Sequence, residues 1–293
     1  MQQIGDGMWR ASAARAGRSV CISFGVHGNE RSPIDAGLAL LDEFSSGARA
    51  LEAGSLLLLH ANPKATAIPD RWSEGGVDLN RCFSEASLAR EPELYEEGRA
   101  REIVAALEAA AVEVLVDFHC TVEPGKRFAM HHPPVTDPTY REVTRLLEAE
   151  TILGDPSLTF GGVSLDEWPA TRGKVGICYE TGWMGDPSNT GEAVHAEMVN
   201  VLRGLGLVAG DATARDEKNH IELVDRIVCA GAGFRWEDGV GENLQAVPAG
   251  TMLGRYEDGA PVTLEDDATL IFPKKKPELV QVGQPLVYLA VRR

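Results

Sequence analysis

Over the first two thirds of the chain, short apolar runs alternate with stretches of helical apolar spacing, and few folds accommodate that pattern. Ser19–Phe24, Leu56–His60, Val114–Phe118 and Lys174–Tyr179 read as buried strands. Between and after them, Pro33–Phe44, Pro92–Ala111, Thr136–Ala149 and Thr190–Leu205 read as helices. Strands alternating with helices of this length predict an α/β sheet flanked by helices rather than a mostly helical protein. The pattern changes near Gly210. Residues 210–218 are polar, without a periodic apolar face, and read as a linker. Beyond them only short β-like runs recur: Ile221–Val224, Ile227–Ala230, Gln245–Val247, Thr269–Phe272, Leu279–Val282 and Pro285–Val291. The expected organisation is an α/β unit over residues 1–210 and a small β-rich unit over 211–293.

In an open α/β sheet the carboxyl ends of the strands form the ligand-binding edge. Three chemistry-bearing residues stand just after strand-like runs: His27, His119 and Glu180. Residues 92 and 61 positions apart in sequence could therefore converge in space. His27-Gly28-Asn29-Glu30 adds a carboxylate three residues after its histidine, and Gly28 is expected to let the backbone turn sharply so that both side chains face one ion. His27, Glu30 and His119 thus form a candidate three-ligand metal set of the kind that leaves one position open for water. Glu180, in Tyr179-Glu180-Thr181-Gly182, is the candidate base. His60, His131, His132, His195 and His220 are read as surface or internally satisfied residues.

Asp78-Leu79-Asn80-Arg81-Cys82-Phe83 is the second informative motif. An arginine grips a carboxylate through two parallel hydrogen bonds, and an adjacent asparagine adds a donor. Arg71, Arg172 and Lys174 are further cations near these motifs, any of which could polarise a carbonyl or lie on the surface. Lys274-Lys275-Lys276 reads as a solvated turn. The formal net charge of −16 argues against nucleic-acid binding, which needs a basic face, and implies that an anionic substrate requires a local arginine cluster. Five scattered cysteines without a Cys-x-x-Cys, no visible secretory signal and no long apolar span fit a cytoplasmic protein with free thiols and no membrane partner. Assembly into a homo-oligomer is left open.

Taken together, Gly25–Glu30, Asn62-Pro63, Asp78–Phe83, Asp117-Phe118-His119 and Glu180-Thr181-Gly182 resemble, in order, the motifs of the succinylglutamate desuccinylase/aspartoacylase family, relatives of zinc carboxypeptidases. The resemblance spans roughly residues 19–205, and the β-like tail is similar to that family's C-terminal domain. It implies a zinc-carboxypeptidase-like mixed sheet and one zinc ion per chain on His27, Glu30 and His119. It further implies Glu180 as base and then acid, Arg71 as a catalytic arginine that assists the carbonyl oxygen, Asn80 and Arg81 as a substrate-carboxylate clamp, and Arg172 as a further substrate contact. The reaction it implies is hydrolysis of the amide bond of an N-acyl amino acid, a small carboxylate-bearing substrate. Two alternatives are a metallocarboxypeptidase acting on peptides and a non-catalytic metal- or carboxylate-binding protein. Buried cysteines beside the motifs (Cys82, Cys120, Cys178) are expected to act as small apolar residues rather than nucleophiles or ligands.

Overall fold

The structure, a computed structural model, describes residues 1–132, 138–156 and 163–292. The expected strands form its centre. β1 (Gln2–Gly5), β2 (Met8–Ser12), β3 (Ser19–Phe24), β4 (Ser55–His60), β5 (Val114–Thr121), β6 (Phe128–His131), β7 (Thr151–Gly154) and β8 (Val175–Trp183) lie in one mixed sheet in the order β1-β2-β4-β3-β5-β8-β6-β7. β4, β3, β5 and β8 run parallel; β2 and β6 are antiparallel to their neighbours β4 and β8. After β3 the chain first pairs on one side, as β4, and then crosses to the other, as β5. That reversal opens a crevice at the strands' carboxyl ends.

Every second residue of the central strands faces the same layer. Val20, Ile22, Phe24, Leu56, Leu58, Val114, Val116 and Phe118 pack on one face. There they meet α1 (Arg31–Ser46) and, further along the chain, α7 (Gly191–Gly204). The intervening Cys21, Leu57, Leu59 and Leu115 pack on the other face with Leu79, Phe83, Ile103, Leu107 and Trp168. That second layer comprises α2 (Pro63–Ala67), α3 (Glu85–Ala89), α4 (Tyr95–Ala109) and α6 (Glu167–Ala170), while α5 (Pro138–Leu146) packs against α7. Burial on both faces explains why the strands read as continuous apolar runs rather than alternating ones.

The tail extends this sheet. β9 (Asn219–Val228) lies parallel to β7 and antiparallel to β15 (Pro285–Arg292), and β14 (Ala268–Ile271) and β11 (Ala246–Val247) follow outward. β10 (Arg235–Trp236), β12 (Met252–Arg255) and β13 (Pro261–Thr263) form a small second sheet. Two expectations change here. Ile221–Val224 and Ile227–Ala230 belong to one strand, because Asp225 and Arg226 continue the pairing with Leu289 and Tyr288. Leu279–Val282 forms no strand; its first residue closes a 3-10 turn over Pro277–Leu279, which the fixed φ of Pro277 favours. Thr136 and Asp137, at the start of one expected helix, lie outside the described residues. Of the described residues, none belongs to a helix long and apolar enough to cross a membrane.

Candidate metal centre and active site

β3 ends at Phe24, and the backbone turns at Gly25, whose φ of 67° lies in the left-handed region that glycine adopts without penalty. A second turn follows at Gly28-Asn29, where one was expected, and the Glu30 N–H donates to the His27 carbonyl across it at 3.3 Å. Gly28 is also needed for space: a Cβ there would overlap the backbone of Ala65 and Thr66 in the loop-and-helix layer behind it. The turn delivers His27, and Glu30 sits at the start of α1. β5 lies beside β3, with Phe118 opposite Phe24, so His119 emerges at the same edge. β8 pairs with β5, with Glu180 directly opposite His119.

His27, Glu30 and His119 converge, with ligand atoms all within 4.8 Å of one another, and all three are buried. Glu30 Oε1 lies 2.7 Å from His27 Nδ1, and Glu30 Oε2 lies 3.1 Å from His119 Nδ1 and accepts from the Cys120 N–H at 3.2 Å. Each imidazole turns its other nitrogen to a second carboxylate: His119 Nε2 is 2.8 Å from Asp117 Oδ2, and His27 Nε2 is 3.2 Å from Asp78 Oδ1. That is how ligating histidines are oriented, with one nitrogen fixed from behind and the other presented forward. Burial pushes the Glu30 carboxyl up, but His27 and His119 outweigh it and hold the group below its ordinary range. For His119 burial works against the charged form, and Asp117 and Glu30 reverse it, so its basicity is raised. Two imidazole nitrogens and a carboxylate, close together and buried, fit a divalent cation such as zinc, cobalt or manganese.

Glu180 completes the pocket from the β8 side. It is buried, its Oε2 has no hydrogen-bond partner, and burial raises its pKa to about 8 against the opposing pull of His119. Asp78 organises the opposite wall. Besides His27 it accepts from Arg71 Nη2 at 2.9 Å and from the Asn80 N–H at 2.9 Å. Arg71 also feels the charges of Glu30 and Glu180, which places its guanidinium at the pocket. Asn80 is buried and its Oδ1 accepts from the Leu165 N–H at 2.9 Å; among the described residues no hydrogen bond uses its Nδ2. Arg81 Nη2 lies 3.8 Å from Asp78 Oδ2.

Arg172 is not brought to this cluster. It is exposed, lies 4.1 Å over the Trp168 ring, and donates to Thr171 Oγ1 and the Trp168 carbonyl. Lys174 is likewise exposed. Lys274 departs from the solvated turn expected of it. It is partly buried, and burial together with the charges of Arg71 and Arg81 lowers its pKa to about 8. Asp78, Asp117 and Lys274 are thus the residues that the sequence reading gave no role. For Asp117 a signal existed: it stands two residues before His119 on a strand, so both side chains share a face. The cysteines offer no nucleophile here. Burial pushes the Cys82 thiol to about 11 and the Cys120 thiol to about 12.

Comparison with known proteins bears on the family and the fold. Residues 16–153 match the family described as the succinylglutamate desuccinylase/aspartoacylase catalytic domain. The chain is 23% identical over 286 residues to the succinylglutamate desuccinylase of Vibrio campbellii, covering 91% of this chain and 78% of that one. It is 42% identical over 90 residues to the Chromobacterium violaceum succinylglutamate desuccinylase, covering 31% of this chain and 26% of that one. The crystal structure of succinylglutamate desuccinylase from C. violaceum superposes with a TM-score of 0.77 at 22% identity, covering 99% of this chain and 89% of that one. Residues 16–153 thus carry the succinylglutamate desuccinylase/aspartoacylase catalytic domain, and the chain as a whole has the fold of the succinylglutamate desuccinylases.

Proposed function

We propose that the protein is a cytoplasmic, zinc-dependent hydrolase that cleaves the amide bond of an N-acyl amino acid resembling succinylglutamate or acetylaspartate. The observation that carries this reading is the convergence of His27, Glu30 and His119 opposite a buried Glu180 whose Oε2 is unpartnered. The cytoplasmic assignment is supported by five free, buried cysteines. Residues 1–210 are proposed as the catalytic unit and residues 211–293 as a β-rich unit beside it.

In this reading His27, Glu30 and His119 hold the metal. A bound divalent ion of this class lowers the pKa of a water from about 15.7 to about 7, so that hydroxide is available near neutrality. The chain's own residues do the rest. Asn80 Nδ2 and the Arg81 guanidinium grip a substrate carboxylate and align the amide. Arg71, steadied by Asp78, polarises the scissile carbonyl and stabilises the charge that develops on its oxygen. Glu180 accepts a proton from the attacking water as the new C–O bond forms. When the C–N bond breaks, Glu180 returns that proton to the leaving nitrogen, giving a carboxylate and a free amino acid. Lys274 adds positive charge on the Arg71 and Arg81 side, which supports an anionic substrate despite the net charge of −16.

The test is a panel of N-acyl amino acids and short peptides, assayed on protein stripped by chelator and then reloaded with zinc. Turnover of an acylated amino acid that disappears on stripping and returns with zinc is expected. Turnover by metal-free protein would remove the metal from the reaction. A preference for peptides would reassign the protein as a carboxypeptidase.

A further inference from the structure

A second convergence of ligating side chains lies away from the pocket. β6 and β7 run parallel, with His131 opposite Gly154. The residues that follow them, His132 and Asp155, therefore leave the sheet side by side, and the Asp155 N–H donates to the His131 carbonyl at 2.8 Å. Glu167 reaches the same point from the stretch leading into β8. His132, Asp155 and Glu167 have ligand atoms within 4.8 Å of one another, and all three are buried. The cluster is distinct from the first. β6 is antiparallel to β8, with Phe128 opposite Glu180, and His132 stands four residues beyond Phe128, so the two sites are roughly 13 Å apart along the strand.

Two features point to a cation. His132 Nε2 lies 2.6 Å from Asp166 Oδ2, whereas its Nδ1 has no hydrogen-bond partner and faces Glu167 Oε1 at 3.5 Å. His132 is only 5% exposed, so water does not readily satisfy that nitrogen. This repeats the arrangement at His119, whose Nε2 is held by Asp117 and whose Nδ1 faces Glu30. The second feature is the donor set itself: Glu167 turns Oε1 toward that nitrogen while its Oε2 accepts from the Ser164 N–H at 2.8 Å, and the buried Asp155 closes the triangle.

We propose that His132, Asp155 and Glu167 bind a second divalent transition-metal ion, with Asp166 fixing the His132 ring. One imidazole and two carboxylates select an ion such as zinc or manganese over calcium or magnesium, which prefer oxygen donors alone. The ion ties Asp155 to Glu167, and thus both ends of the stretch containing Leu165, whose N–H holds Asn80 Oδ1. The site's role is structural, and its existence does not depend on the proposed hydrolysis.

Metal counting on the full chain tests it. Chelator-stripped protein, dialysed against zinc, is expected to carry two equivalents by elemental analysis, and a single equivalent that is lost in His27→Ala/Glu30→Gln would overturn the proposal. The variant His27→Ala/Glu30→Gln is expected to retain one equivalent, and zinc is expected to raise its Tm. Adding Glu167→Gln is expected to bring the count to zero. A count of zero before that substitution, or of one after it, would overturn the proposal. If the combined variant does not fold, X-ray absorption on zinc-loaded His27→Ala/Glu30→Gln decides: one imidazole per zinc supports the site, and none or two overturns it. Failure of the panel assay with two ions bound would instead sink the hydrolase reading alone.

Discussion

Glu180 and His119 differ in what the fold asks of them. His119 is held on both nitrogens by carboxylates, whereas Glu180 keeps one oxygen free in a buried setting. A free oxygen suits a proton carrier, and paired nitrogens suit a ligand. Glu180→Gln is accordingly expected to lower kcat by about 10²–10⁴-fold with zinc content unchanged; unaltered turnover would strip Glu180 of its role. Arg81→Ala is expected to lower kcat/KM by about 10–100-fold through loss of a charged hydrogen bond to substrate, while Arg172→Ala, whose contacts are with Trp168 and Thr171, changes it little. Equal efficiencies for wild type and Arg81→Ala would exclude Arg81 from the clamp. The ligand candidates were legible because each follows an apolar run. Asp78 was not, because its contact with His27, 51 residues away in sequence, is made only by the fold.

At the scale of elements, the site depends on how closely the loop after β3 approaches α2. Asn62 caps α2 through the Ala65 N–H and donates to Glu96, so this helix is fixed in place. Arg99, fully buried on α4, donates to the His60 and Ala61 carbonyls and secures the end of β4. The loop cannot retreat from a Cβ at Gly28 without carrying His27 and Glu30 with it. Gly28→Ala is expected to destabilise the protein by about 1–3 kcal/mol through overpacking and to weaken zinc binding as well. Thermal unfolding and zinc titration would check this, and a variant matching wild type in both would show that the approach is slack. The strands and long helices were readable from periodicity. β6 and β7 were missed because four-residue strands give little periodic signal, and their parallel pairing is what brings His132 to Asp155.

Across the whole molecule, one sheet runs from β1 at one edge to β11 at the other, and Phe128, Met130 and Cys178 share a core with Leu223, Ile271 and Tyr288 from the tail. Acid should loosen this assembly partly through its neutral buried histidines. Burial, aided by Arg99, lowers the His60 pKa from 6.5 to about 4. Below pH 6.5 the unfolded chain takes up a proton that folded His60 refuses, so the stability this group contributes is fully present above 6.5. It is lost as pH falls towards 4, a loss of order 3 kcal/mol over the window. Urea unfolding at pH 7.5 and 4.5 should therefore show a smaller acid loss in His60→Gln than in wild type, and identical losses would clear His60 of the effect. The sequence by itself determined the strand-and-helix alternation and the order of the motifs, because burial periodicity and strand-end position are local properties of the chain. Only the tertiary structure decided which carboxylate backs each imidazole, that Arg172 stays outside while Lys274 turns inward, and that the tail continues the sheet. Those outcomes depend on strand register and side-chain direction between residues far apart in sequence, which no local pattern encodes.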